Sequence, residues 1–306
     1  MFASNLTDKF NEKFSSDGSI IFEPGPGGLP LIRIANSNCA ALVSIYGAHV
    51  MSYIPHGFED LLWLSSESFY DEGKPIRGGI PVCWPWFGGH PSDKDKPAHG
   101  FARISMWELV SVKTEEGVSE IVLELTDDDK SRFLWPQSFK LRAVIKAGAR
   151  LEVALTTENT SLDSFKITQA LHTYFSISEI GGIGIKGFDG LKYIDTLKSA
   201  DLPRQTQYGT IGINTETDFI FVDTQGSYVI EDPGFKRKID IAKSGSNSAV
   251  VWNPWAEKAK KTRDFGNEEY HSMVCVEVTN TSQDCREIAP GACHTISTVI
   301  SASELY

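Results

Sequence analysis

Lys140-Leu-Arg-Ala-Val-Ile145 and Arg150-Leu-Glu-Val-Ala-Leu155, with Gly148 between them, carry the pattern that sets the fold class of this chain. Apolar side chains alternate there with charged or small ones, the period of two expected of a strand half-buried in a sheet. The same alternation recurs in Ile121-Val-Leu-Glu-Leu125, Phe165-Lys-Ile-Thr-Gln-Ala-Leu171, Lys238-Ile-Asp-Ile241 and Met273-Val-Cys-Val-Glu-Val278. Gly, Pro, Asn and Asp separate these stretches at short intervals, which predicts consecutive antiparallel strands rather than βαβ units. Glu23-Pro-Gly-Pro-Gly-Gly28 reads as a turn between an early strand and the next. Only two helical pieces are expected. One runs from Asp127 to Trp135, opening on an acidic run and closed by Pro136, and the other from Ala256 to Arg263.

The chain of 306 residues has 41% hydrophobic and 23% charged residues, a balance that buries a substantial core. No internal repeat and no linker rich in Pro, Gly and Ser divides it, so residues 1–306 are expected to form a single domain. The net charge of -11 argues against a protein that coats nucleic acid or an anionic membrane. An anionic small molecule would need its own local cationic pocket. The opening MFASNLTDKFNEKFSS has no apolar run long enough for a signal peptide or a spanning helix, and a cytoplasmic protein is expected. Cys39, Cys83, Cys275, Cys285 and Cys293 form no CxxC pair and are odd in number, which suits reduced, mostly buried thiols. The Asn-x-Ser/Thr sites at Asn5, Asn159 and Asn280 carry little meaning without secretion.

Gly182-Ile-Gly-Ile-Lys-Gly187 spells the GxGxxG of a dinucleotide loop, but no helical period follows to hold a pyrophosphate on its amides. Turn glycines are the better reading. No GxxxxGK[ST] loop, GxSxG elbow or HExxH helix occurs, which removes the usual supports for nucleotide hydrolysis and serine-hydrolase chemistry.

Three segments can carry chemistry. In Ile76-Arg-Gly-Gly-Ile-Pro-Val-Cys-Trp-Pro-Trp-Phe-Gly-Gly89 and the nearby Lys96-Pro-Ala-His-Gly-Phe-Ala-Arg103 the alternation stops. Trp84, Trp86, Phe87 and Phe101 offer flat apolar faces there, and Arg77, His99 and Arg103 offer donors. Sugars are held by such a mixture, and the arginine fork suits phosphate. A core loop of aromatics with two surface arginines explains the same composition. In Leu171-His-Thr-Tyr-Phe175, His172 interrupts an apolar run; a satisfied core histidine is the plainer alternative. In Val274-Cys-Val-Glu-Val278 the period sends the valines one way and Cys275 and Glu277 the other, either into a cavity or toward solvent.

Taken together these segments resemble the glucose-6-phosphate 1-epimerase group of the aldose 1-epimerase, or galactose mutarotase-like, family. The resemblance covers nearly the whole chain. It is carried by RGGIPVCWPWFG at Arg77 to Gly88, PAHGFAR at Pro97 to Arg103, LHTYF at Leu171 to Phe175 and Asp218 in Thr217-Asp-Phe-Ile-Phe-Val222. VVWNPW at Val250 to Trp255 and MVCVE at Met273 to Glu277 complete it. It implies an all-β fold, a large antiparallel β-sandwich with few short helices and a sugar site in a cleft on one sheet. By the family pattern, His172 and Glu277 are the catalytic acid and base, Arg77 and Arg103 contact a phosphate, and His99 and Asp218 contact the sugar. Trp84 is counted with these substrate-binding residues, and a sugar stacked on Trp84 or Trp86 is also what a non-catalytic binder would use. The Asp218 segment departs from the usual form, with Phe219 where Arg is common.

The expected reaction interconverts the α and β anomers of a hexose 6-phosphate. It opens the hemiacetal, rotates about C1–C2 and closes on the other carbonyl face, which takes two proton transfers. No cofactor and no metal is needed; the expected partner is a small-molecule sugar phosphate, with no nucleic acid or membrane, acted on by a monomer. Two rivals stay open: a mutarotase for neutral aldoses, and a carbohydrate-binding β-sandwich without catalysis. A metal site built from His99, His172, His271 and His294 lacks close ligand spacing.

Overall fold

A computed structural model of the chain describes residues 2–14, 18–198 and 203–306, with the side chains of residues 2–5 left aside. The alternation read at 140–155 becomes burial: Leu151–Asn159 buries every second residue, and Phe139–Ala147 does the same at Phe139, Leu141, Ala143, Ile145 and Ala147. The two strands pair antiparallel from Phe139 opposite Asn159 to Ala147 opposite Leu151. Each side chain so buried contributes roughly 1.5–3 kcal/mol if it is Val, Leu, Ile or Phe.

These strands lie inside an eight-stranded antiparallel sheet. Its order is Gly184–Lys186, Tyr228–Asp232, Arg237–Ser244, Cys293–Glu304, Leu151–Asn159, Phe139–Ala147, Val118–Thr126 and Glu108–Glu115. A second eight-stranded sheet runs Gln205–Thr206, Lys192–Asp195, Thr217–Val222, Ser248–Asn253, Met273–Asn280, Gln169–Leu171 and Val82–Cys83, with Tyr174–Ser176 also paired to Met273–Asn280. The main core holds Ile145, Val153, Leu155 and Ile300 from the first sheet with Phe221, Val251, Val274, Val276 and Val278 from the second. This is the antiparallel β-sandwich the sequence implies. A four-stranded sheet, Ile20–Pro24, Pro30–Ala35, Cys39–Ser44 and His49–Pro55, adds further residues to that core.

Local departures have local causes. The stretch expected as one strand over Phe165–Leu171 breaks at Thr168, so Phe165–Ile167 pairs with Arg286–Ile288 while Gln169–Leu171 joins the second sheet. Thr168 donates its N–H to the Pro85 carbonyl and accepts the Phe87 N–H on its hydroxyl, fixing the aromatic loop at the crossover. The helix expected over 127–135 spans Asp129–Leu134; Asp128 caps it by accepting the Ser131 N–H. The helix expected over 256–263 spans Trp255–Lys261. A third helix, Phe2–Phe14, was not anticipated; its Phe10 and Phe14 pack on Phe22 with ring centroids 5.4 and 6.2 Å away. After Gly182 the chain enters the strand Gly184–Lys186 rather than a helix, which disposes of the dinucleotide loop. All five cysteines are free; Cys39, Cys83 and Cys275 are buried, whereas Cys285 and Cys293 are exposed. No helix among the described residues is long and apolar enough to cross a membrane.

Candidate active site

The second sheet places the candidate side chains by register alone. Asp218 pairs with Trp252, Trp252 with Cys275 and Cys275 with Tyr174, so these four form one row across one face. The next row on that face is Ile220, Val250 and Glu277. The intervening row, Phe219, Val251 and Val276, packs into the core. Cys275 and Glu277 therefore point away from the valines, as the alternation requires. Glu277 does not reach solvent, being 1% exposed.

Leu171 faces Val278 and Tyr174 faces Cys275 in the same register, so His172 sits opposite Glu277 where the ladder is interrupted. The His172 N–H turns to the Pro81 carbonyl at 3.1 Å, and its imidazole Nε2 approaches Glu277 Oε1 at 3.4 Å. The ring lies parallel to that of Tyr174, with centroids 4.7 Å apart, and meets the His99 ring at 5.6 Å and the Trp252 ring at 6.1 Å. Inside this shell His172 Nδ1 and Glu277 Oε2 are buried without a protein hydrogen-bond partner. Most buried polar groups are partnered, which makes these two atoms candidates for a ligand, although His49 Nδ1 and Gln169 Oε1, buried elsewhere, are unpartnered as well. Burial, reinforced by the charge of Asp218, holds the Glu277 carboxyl well above the usual carboxylate range. Burial, His99, Arg103 and Arg77 together hold His172 well below the usual imidazole range.

Arg77 and Arg103 both bear on this pair, but differently. Arg77 is committed: Nε and Nη2 donate to the two Asp264 oxygens at 3.2 and 3.1 Å, and Nη1 donates to the Tyr174 hydroxyl at 3.1 Å. Asp264 is itself buried, on the loop held by Glu269, which accepts from Gly266 N–H and from Ser65 and Ser66. Arg103 has no carboxylate partner among its described hydrogen bonds. Its Nη2 donates to the Ala98 carbonyl at 2.8 Å, and its Nε is buried and unpartnered. Burial and the nearby Arg77 lower its proton affinity. His99 is pushed down to about 3 by burial and by the Arg103 and Arg77 charges, so a neutral imidazole faces the site.

The 99–103 segment reaches the site because Gly100, at φ +71°, brings its backbone against the Trp84 carbonyl, where a Cβ would come within 1.9 Å. Phe101 and Ala102 donate their N–H groups to that same carbonyl. Asp218 lies further along the sheet, half-buried, with burial raising its carboxyl pKa. Trp84 requires a correction. It is 0% exposed, donates its indole N–H to Thr157 Oγ1 at 3.0 Å, and packs against Phe101, Trp135 and Phe139. It has no face to offer a sugar and instead supports the loop from beneath. The aromatic beside the pair is Trp252, half-buried, with Lys258 Nζ 5.9 Å over its ring. VVWNPW contains it, yet an aromatic in an apolar strand gives no sign of its exposure. Tyr174 and Asp264 carry no signal in the sequence either, since their contacts with Arg77 form only once the loops meet. Of the four histidines considered for a metal, His271 pairs with Glu179 and His294 bonds Asn280, so only His99 and His172 adjoin.

A sequence model of the aldose 1-epimerase family matches residues 30–301. A protein of Cenchrus ciliaris, described as a candidate glucose-6-phosphate 1-epimerase, is 35% identical over 265 residues, 82% of this chain and 78% of its own length. One of Escherichia coli K12 with the same description is 33% identical over 258 residues, covering 83% and 84%. Among solved structures, a candidate mutarotase from Salmonella typhimurium superposes with a TM-score of 0.87 at 28% identity over 94% of each chain. A galactose mutarotase-like protein from Clostridium acetobutylicum shares the fold, with a TM-score of 0.73 at 15% identity over 94% of this chain and 98% of its own.

Proposed function

This chain belongs to the aldose 1-epimerase family, and from that premise we propose that it interconverts the α and β anomers of a hexose 6-phosphate, with glucose 6-phosphate as the leading substrate. An aldose epimerase acts on the anomeric carbon, and its chemistry is proton transfer at two oxygens. The observation that carries the reading is the buried His172–Glu277 pair, 3.4 Å apart, beside a cationic group without a carboxylate partner at Arg103.

The pair handles one proton in alternation. With the ring form bound, Glu277 takes the proton of the C1 hydroxyl and His172 gives one to the ring oxygen, leaving both groups neutral around the open-chain aldehyde. After rotation about C1–C2, His172 takes the proton back and Glu277 returns one to the carbonyl oxygen. The raised Glu277 and lowered His172 affinities set by the protein's own groups favour the neutral pair, the form that accompanies the open chain. A phosphate dianion beside Arg103 and Arg77 offsets the positive field on His172 and lifts its proton affinity, favouring the charged pair that opens the ring.

Arg103 supplies the free donors for phosphate, and Arg77, held by Asp264 and Tyr174, orients the wall next to it. His99 and Asp218 are proposed to bond sugar hydroxyls, and Trp252 to lie against the ring. Residues 1–306 are taken to act as one domain, and as a monomer in the cytoplasm. The test is anomer exchange of glucose 6-phosphate, glucose and galactose at equal concentration. Acceleration of the phosphate sugar well above the other two supports the reading. Equal acceleration of all three points to a neutral-sugar mutarotase, and none at all to a binding protein.

A further inference from the structure

We propose that the same pocket is a trap for a soft divalent cation of the Zn2+ type, which binds His172, Cys275 and Glu277 and thereby inhibits the enzyme. A ring nitrogen of His172, Sγ of Cys275 and a carboxylate oxygen of Glu277 all lie within 4.8 Å of one another. Zinc bonds of about 2.3 Å to sulfur and about 2.0–2.2 Å to nitrogen and oxygen place tetrahedral ligands roughly 3–4 Å apart, so small side-chain shifts close the set. The set is rigidly presented: Cys275 and Glu277 are two residues apart on one face of Met273–Asn280, and His172 stands opposite Glu277.

Two features point to a ligand rather than to packing. Glu277 Oε2 and His172 Nδ1 are buried and unpartnered, and the facing Nε2 and Oε1 stand 3.4 Å apart in a contact that an ion held between them would replace. And the reaction has no use for Cys275, whose thiol faces the pair without taking part in either proton transfer. One thiolate, one imidazole and one carboxylate select zinc or cobalt over magnesium, which prefers an octahedron of oxygens. The magnesium that accompanies sugar phosphates would therefore leave the site alone. On binding, the thiol proton and any carboxyl proton pass to solvent, with no change of oxidation state. The inhibition rests on the proposed roles of His172 and Glu277; the binding does not.

The test uses the full chain after exhaustive chelation and dialysis. Zn2+ should suppress anomer exchange, Mg2+ should not, and added chelator should restore the rate. Cys275→Ala should raise the zinc concentration needed by about ten-fold or more, since losing a ligand costs at least as much as losing one of its supports. Cys285→Ser and Cys293→Ser, which remove the exposed thiols, should leave the inhibition as it was. Co2+ gives a second reading that needs no catalysis, through its thiolate charge-transfer absorption, which saturating glucose 6-phosphate should suppress in the unsubstituted protein. That competition also serves if Cys275→Ala does not fold. Zinc inhibition equal with and without Cys275, or no cobalt–thiolate band, overturns the proposal. A Cys275-dependent band in a protein inactive on every sugar keeps the cation site and removes the enzymatic reading.

Discussion

Arg77 lays its guanidinium edge against the Asp264 carboxylate with two bonds, 3.2 and 3.1 Å long, and so spends on its own fold the fork that a phosphate would use. The pair joins the loop ahead of Gly78 to the one ahead of Met273, and Tyr174 beneath it touches His172. Asp264 thus holds Arg77 in place, and in the proposed site its role is to position that guanidinium. Asp264→Ala should lower the unfolding free energy by about 1–3 kcal/mol, the cost of unpairing a partly buried charge, and reduce kcat/KM for glucose 6-phosphate about ten-fold. Asp264→Asn, which keeps an acceptor, should lose less of both. Thermal unfolding and steady-state kinetics check this; wild-type values for both variants would make the ion pair incidental.

Arg103 and Arg77 should separate by substrate. Arg103→Ala removes the charge-assisted bond proposed to phosphate, so kcat/KM for glucose 6-phosphate should fall about ten- to hundred-fold while any slow turnover of glucose changes little. Arg77→Ala strands Asp264, and should cost stability together with activity on both sugars. Arg103→Lys should keep part of the phosphate preference, because a point charge lacks the fork. Full phosphate preference in Arg103→Ala would place the phosphate elsewhere.

The pH profile follows from the one-proton pair. Protonating His172 while Glu277 holds its proton ends activity on the acid side, and that step lies below the ordinary imidazole value because His172 is lowered. Losing the last proton ends it on the alkaline side, well above the ordinary carboxylate value because Glu277 is raised. The kcat/KM profile, corrected for ionisation of the substrate phosphate near about pH 6, should have its acid limb below the ordinary imidazole value and its alkaline limb above the ordinary carboxylate value. A rise centred at the ordinary imidazole value with no earlier onset would contradict the pair as described.

Two tryptophans should respond in opposite ways. Trp84→Ala should cost about 3–5 kcal/mol of stability, as for a large aromatic removed from a core. Trp252→Ala should raise KM and leave stability within about 1 kcal/mol, because it is half-buried beside the His172 ring. A KM effect confined to Trp84 would return the sugar platform to that residue.

Much of this was legible in the sequence. Period-two burial at Phe139–Ala147 and Leu151–Asn159 is a local property, and local alternation reads out which face is wet. The same rule sent Cys275 and Glu277 to one face, though it cannot say whether that face meets water or a cleft; the loops around Arg77 and Asp264 decide it. Trp84 lies in a loop dense in aromatics, a composition that suits a sugar platform and a packed core alike, and only the sheet behind it shows that Thr157 and Phe139 enclose it. Trp252 sits in an apolar strand and betrays nothing. The helix Phe2–Phe14 leaves only a faint trace in the sequence, the spacing that puts Phe10 and Phe14 on one face. The pairing of Arg77 with Asp264, 187 residues apart, lies beyond any pattern along the chain.

Optical rotation of freshly dissolved α-glucose 6-phosphate, followed with the unsubstituted protein and with Glu277→Gln and His172→Asn, tests the central claim most directly. The unsubstituted protein should bring the rotation to its equilibrium value far faster than buffer alone, and each folded variant should be slower than it by about 10²–10⁴-fold. A folded Glu277→Gln or His172→Asn that equilibrates the anomers at the unsubstituted rate would contradict the account.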